Sequence, residues 1–229
     1  MPSFNIVKNT IPKKSFRNES IKGQFDLQIE EVIEKFSGEI DIENKEWGIG
    51  LIVGSSGSGK STIAKQCFKD SYINQYEYSK ESVLDNMPKN KSTEEITSIF
   101  NSVGFATVWS WLKPYDVLSN GEKMRVDLAR SILEENETIC FDEFTSVVDR
   151  TIAKTASFAI SKAVRKLKKK FVAVSCHYDI LEWLEPDWIY DTDKKQFFFA
   201  LTNTKDPKSN SKFDNALLKN GVYLKSITI

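Results

Sequence analysis

The chain is short of the features that mark exported, membrane-spanning or strongly polyionic proteins. It has three cysteines, Cys67, Cys140 and Cys176. They form no C-x-x-C pair, and an odd, scattered set fits reduced thiols rather than a disulfide framework, so the expected location is cytoplasmic. The first residues, Met1 to Lys8, lack the apolar core of a signal peptide. No apolar run approaches the roughly 18 residues that span a bilayer, so a membrane role would have to go through another chain. Charge is balanced, with 32 Lys+Arg against 32 Asp+Glu. That balance gives no global pull toward nucleic acid or anionic lipid, although a local patch still can. There is one histidine, His177, and no internal repeat.

What remains is the composition of a folded domain: 229 residues, 40% hydrophobic and 28% charged. The most informative stretch is Gly54–Thr62, Gly-Ser-Ser-Gly-Ser-Gly-Lys-Ser-Thr. It fits G-x-x-x-x-G-K-[S/T], with Gly54, Gly59, Lys60 and Ser61 in the fixed places. Glycines let the backbone curl so that successive N–H groups face phosphate oxygens. The following helix adds its own N-terminal N–H groups. Lys60 can reach the β- and γ-phosphates, and the Ser61 hydroxyl can take one position on Mg²⁺. A Gly/Ser linker is the plain alternative. An apolar strand before it (48–53) and a helical pattern after it (63–68) argue against that. Nucleoside triphosphate binding is therefore expected, with Ser55, Gly57, Ser58 and Thr62 completing the cradle.

Further along, residues 1–46 read as a strand-rich entry region with turn signals at Lys22-Gly23 and Ser37-Gly38. Tyr72, Tyr76 and Tyr78 suggest a strand and loop. Thr93–Val103 has helical spacing, and another helix is expected from Gly121 to Leu133. Thr138–Phe141 and Phe171–Val174 read as buried strands. Residues 151–168 form an amphipathic helix. Residues 202–220 read as a loop, followed by a last apolar segment, 222–229. Strand–helix alternation of this kind implies an α/β fold with a mostly parallel sheet. Trp109, Trp111 and Tyr115 are read as core of a helical region, or else as a partner-docking surface. The basic run 162–170 is read as a solvated helix face whose cations complement the helix C terminus. Nucleic-acid contact is the less favoured alternative.

Thr138–Phe141 leads into Asp142 and Glu143, an apolar strand ending in two acids. At the C-terminal edge of a parallel strand such acids face the ligand crevice. Asp142 would hold Mg²⁺, directly or through water, and Glu143 would act as general base on the attacking water. Leu118-Ser-Asn-Gly-Glu122 opens the next motif, in which Ser119 suits an N-cap and Glu122 its capping-box partner. Continued as Lys-Met-Arg-Val-Asp-Leu-Ala-Arg130, this stretch resembles the signature motif of ABC-type ATPases. Thr145–Asp149 then resembles the D-loop, Ser175-Cys-His177 the switch histidine, and Gln75 the Q-loop glutamine. The resemblance runs over residues 38–192. Asn120, Glu122 and Phe144 depart from the usual glycine, glutamine and proline.

The resemblance implies a P-loop NTPase fold: an ABC ATPase core, N-terminal antiparallel strands and a short helical subdomain. The expected organisation is one domain, 1–229. Within it fall the entry region 1–46, the nucleotide-binding core 47–90 and 134–200, the helical subdomain 91–133 and a C-terminal extension 201–229. It implies an ATP hydrolase using ATP and Mg²⁺. Glu143 and His177 would be catalytic, and Ser61, Asp142 and Gln75 would serve the metal. Phe25 or Phe36 would stack on adenine. It also implies an ATP-dependent head-to-tail homodimer, in which Ser119, Gly121 and Asp149 of one copy meet the nucleotide on the other. The short segment between Lys60 and Ser119 favours a stand-alone, non-transporter ATPase. The alternatives are a transporter's nucleotide-binding subunit recruited to a membrane subunit, or a nucleotide-gated switch acting on an effector protein.

Overall fold

Buried strands in this chain read as near-continuous apolar runs, as expected of a sheet covered on both faces. The computed structural model describes residues 3–28, 31–134 and 136–199. Its central strands are β3 (Ile49–Val53), β4 (Tyr72–Ile73), β5 (Thr138–Phe141), β6 (Lys170–Ser175), β7 (Trp188–Asp191) and β8 (Gln196–Phe199). They form one sheet in the order β4-β5-β6-β3-β7-β8, parallel except for β8, which pairs antiparallel with β7. Successive side chains divide between its faces. Ile49, Leu51 and Val53 enter one core with Phe171 and Ala173, while Ile52 enters a second core with Val172 and Val174. Helix α2 (Lys60–Cys67) contributes Ile63 and Ala64 to the second core. Helices α3 (Thr93–Ser102), α5 (Asn120–Leu133) and α6 (Arg150–Leu167) cover the other face. The short α4 (Val108–Trp111) and α7 (Ile180–Leu184) complete the main elements.

The entry region differs from its expected form. Strands β1 (Ser3–Thr10) and β2 (Val32–Glu39) do pair antiparallel, from Ser3↔Glu39 to Thr10↔Val32. Neither turn signal makes a turn, however. Lys22-Gly23 lies inside a helix, α1 (Phe16–Gln24), capped by the Ser15 hydroxyl, and Ser37-Gly38 lies inside β2. The Ser15 cap and the β1–β2 ladder outweigh the local preference of a glycine for turns. Helix α1 buries none of its residues.

The tyrosine segment is a strand and loop as expected, with Tyr72 in β4 and Tyr76 and Tyr78 in the loop that follows. Tyr78 stacks on Tyr115 at a centroid distance of 4.0 Å, and both hydroxyls donate to Asp127 at 2.7 Å. Trp111 is buried, but Trp109 is 70% exposed. The basic run is not simply a solvated face. Arg165 pairs with Asp187 and donates to the Glu185 carbonyl, Lys169 donates to the carbonyls of Glu134 and Asn136, and Lys170 pairs with Glu137. The expected C-terminal loop and last apolar segment, in the extension 201–229, lie outside the described residues.

Candidate functional site

The chain leaves β3 at Gly54. A Cβ on Gly54 would sit 2.0 Å from the Thr192 hydroxyl, so a larger residue cannot pack there. Gly59 has φ of +89°, and a Cβ on it would lie 2.4 Å from the Phe36 ring. Helix α2 starts at Lys60 with Gly59 as its N-cap and no side-chain hydrogen bond capping it. Its leading N–H groups therefore suit an external anion. Lys60 Nζ donates to the Ser55 carbonyl at 2.6 Å. Ser55, Gly57 and Ser58 line a pocket of about 410 Å³ together with Phe36, Thr192 and Asp193. Thr62, half-buried, follows Ser61 on α2. Phe25, 62% exposed at the end of α1, is not among the residues lining the pocket.

Two elements bring acids to this loop. At the end of β5, Asp142 is buried, and its Oδ1 accepts from the Ser61 hydroxyl at 3.2 Å and the Glu143 N–H at 3.0 Å. Its Oδ2 accepts from the Tyr72 hydroxyl. Burial, and then Asp142, push the Tyr72 hydroxyl pKa upward, so it stays a donor. Glu143 is exposed, with φ of +55°, and Thr145 has φ of +66°. Left-handed backbone at two non-glycine residues is uncommon and tends to concentrate at functional sites. Phe144 between them is fully buried, and its N–H donates to the Val174 carbonyl at 2.9 Å. Proline has no N–H and could not make that bond.

The second source of acids is the turn after β7. Asp193 accepts from both the N–H and the hydroxyl of Ser55, each at 2.7 Å. Partial burial would raise the Asp193 pKa, but the bonds from Ser55 and Tyr178 hold it below the usual carboxylate range. The Ser58 and Thr192 hydroxyls lie 2.6 Å apart.

Another group of expected site residues is assembled by α5 and α6. Ser119 caps α5 through a full capping box with Glu122. Glu122 also accepts from the Ser110 hydroxyl at 2.7 Å, the largest of the influences that lower its pKa. The carboxylate that replaces the usual glutamine is thus built into the cap. Gly121 packs on Ile152 of α6, where a Cβ would meet the isoleucine at 3.0 Å. Asp149 caps α6, accepting from the N–H groups of Thr151 and Ile152. His177 is half-buried in the loop after β6, and its N–H donates to the Ser175 hydroxyl at 3.2 Å. Gln75 is exposed two residues beyond β4, next to β5 in the sheet.

Tyr72, Tyr178, Thr192 and Asp193 were not singled out from the sequence as site residues. A signal existed for the last pair. Trp188–Tyr190 followed by Asp191-Thr192-Asp193 is an apolar strand ending in acids, the pattern that singles out Asp142 and Glu143.

A phosphate loop between a parallel strand and an uncapped helix, with an acid from β5, separated from β3 by β6, on its serine, defines a P-loop nucleotide-binding fold. More narrowly, with its antiparallel entry strands, it is the fold of ATP-binding cassettes. The post-hydrolysis dimer of the cassette MJ0796, bound to ADP and Pi, superposes with a TM-score of 0.58 at 14% identity, over 82% of this chain and 92% of that one. The cassette cbiO1 from Clostridium perfringens, part of an ABC transporter complex, gives 0.54 at 17% identity, over 69% and 76%. In sequence, an uncharacterized ABC transporter ATP-binding protein of Haemophilus influenzae is 41% identical over 59 residues, 26% of this chain and 24% of that protein. The match thus spans about a quarter of the curated relative. No family model matches the chain.

Proposed function

We propose that this chain is an ATP hydrolase that works as an ATP-sandwiched, head-to-tail homodimer. One observation carries the reading: Ser61 and Asp142 meet at 3.2 Å beside the uncapped start of α2. A hydroxyl and a carboxylate are hard oxygen donors, suited to Mg²⁺, which keeps waters and takes substrate phosphates as further ligands. The metal, when bound, neutralises charge on the β- and γ-phosphates. Lys60 binds the same phosphates, Glu143 orients and deprotonates water, and His177 contacts the γ-phosphate. Gln75 would serve the metal from the loop after β4. Phe36, against Gly59 and in the pocket, is the base platform in preference to Phe25.

Ser119, Gly121 and Asp149 gather on α5 and α6, which supports their use by a second copy. No helix among the described residues is long and apolar enough to cross a membrane. The preferred assignment is a stand-alone cytoplasmic ATPase. The transporter-subunit reading is favoured by the name of the Haemophilus relative and by exposed Trp109.

Light scattering and turnover on two variants test the proposal. Glu143→Gln should bind ATP, lose about 10²–10⁴ in rate and accumulate as a dimer with ATP. Ser119→Arg should bind ATP and stay monomeric. Parent-rate turnover in Glu143→Gln removes Glu143 as the base. An ATP-dependent Ser119→Arg dimer removes the head-to-tail geometry.

A further inference from the structure

Tyr178 follows His177 directly, in the loop between β6 and α7. Its hydroxyl lies 3.0 Å from Asp193 Oδ2 and 3.3 Å from Asp191 Oδ1, so one proton serves two carboxylates. Asp191 is 99% buried, with 1% exposure, and its Oδ1 also accepts from the N–H groups of Asp193 and Lys194 at 3.0 Å each. This sets the turn that presents Asp193 to Ser55. Asp193 then grips Ser55 through the backbone and the hydroxyl at once. Thr192, between the two acids, donates from its N–H to the Val53 carbonyl at 2.8 Å and meets the Ser58 hydroxyl. The phosphate loop is thus held from outside by a turn that is itself tied to the residue beside His177. Burial, then the charge of Asp191, raise the Tyr178 hydroxyl pKa, so it remains a donor throughout the working range.

We infer that Tyr178 is a positioning residue: its hydroxyl couples the loop carrying His177 to the phosphate loop through Asp191, Asp193 and Ser55. The inference rests on the ATPase reading above and deepens it. When the phosphate loop closes on a triphosphate, Ser55 and Asp193 move with it, and Tyr178 carries that register to His177. Tyr178→Phe keeps the ring and removes only the hydroxyl.

Two measurements on the full, untagged chain test it. The first is a double-mutant cycle in turnover with His177→Ala. Tyr178→Phe alone should lower kcat about tenfold and leave ATP affinity within about twofold, since the phosphate loop itself is intact. In the His177→Ala background it should cost nothing further. An unchanged kcat, or a full extra loss in that background, overturns the coupling.

The second measurement needs no activity. His177 is the chain's one histidine, so its imidazole gives a single, assignable NMR signal set. Ser55→Ala should shift those signals in the parent and leave them unmoved in the Tyr178→Phe background. Equal shifts in both backgrounds, or none in either, overturn the link. A parent that binds no ATP defeats the ATPase reading, whereas a parent that turns over ATP with a silent Tyr178→Phe defeats this inference alone.

Discussion

Helices α2 and α5 both begin at a candidate anion site, and they begin differently. Helix α2 follows Gly59, which has no side chain, and no side-chain bond caps its start. Helix α5 follows Ser119, whose side chain and Glu122 satisfy each other's backbone donors. An uncapped N terminus leaves N–H groups that a phosphate can satisfy, with the helix dipole adding to the attraction. A capping box satisfies two of those donors internally and adds a negative charge of its own. The first site is ready for its anion. The second is satisfied without one: the Ser119 hydroxyl donates to the Glu122 carboxylate at 2.8 Å, and under the proposed dimer it would exchange that carboxylate for a phosphate oxygen. Under the proposed function, the phosphate loop would suit stable nucleotide binding, whereas the α5 start would suit a contact made and broken in each cycle.

Three substitutions test this contrast. The largest effect is expected at α2. Lys60→Ala removes the cation of the ready site, and calorimetry should record a loss in ATP affinity on the order of 100-fold, the scale of one charge-assisted bond. Because Lys60 is only half-buried and donates to the Ser55 carbonyl rather than packing in the core, thermal stability should stay close to the parent's.

A smaller effect, with opposite signs on two observables, is expected at α5. Glu122→Gln keeps a capping-box partner but loses the charge at the helix N terminus, and should cost about 0.5 kcal/mol of stability in denaturant unfolding. It also removes a negative charge from the anion side, so ATP-dependent dimerisation should tighten about two- to fivefold. Unchanged dimerisation would mean that Glu122 does not compete with the partner's nucleotide.

The smallest effect is a pH-dependent one. The Ser110 hydroxyl is the largest of the influences that lower the Glu122 pKa. A lowered carboxylate stabilises the fold above its unfolded value, about 4.3 for glutamate, and that contribution is lost as pH falls through the lowered folded value. Ser110→Ala should therefore cost about 0.5 kcal/mol at neutral pH, and the gap to the parent should close below about pH 4. A gap independent of pH would place the effect in the packing of Ser110 rather than in its bond to Glu122.

Legibility follows the reach of each interaction. Gly54–Thr62, Asp142 and Glu143 were readable because their requirements are local: a turn only glycine makes, and an apolar strand ended by acids. The capping box at Ser119 was readable for the same reason. Residue pattern also pointed to a mostly parallel sheet, since strand and helix patterns alternate along the chain. Helix α1 was not legible, because its residues bury nothing and so show no amphipathic signal. Nor were the roles of Arg165 and Lys169 in the basic run, since their partners, Asp187 and the Glu134 carbonyl, belong to other elements.

Residue pattern alone settled where a glycine-rich loop leads into a helix, which acids stand at a strand end and which serine caps a helix. These are decided by backbone freedom and hydrogen-bond reach within a few residues. Tertiary structure alone decided that Tyr72 donates to Asp142, that Phe36 rather than Phe25 lines the loop's pocket and that Asp193 grips Ser55. It also decided that Ser119 and Asp149 gather on α5 and α6. Each of these depends on which strands and helices become neighbours, and that choice is made by burying two apolar faces of one sheet at once.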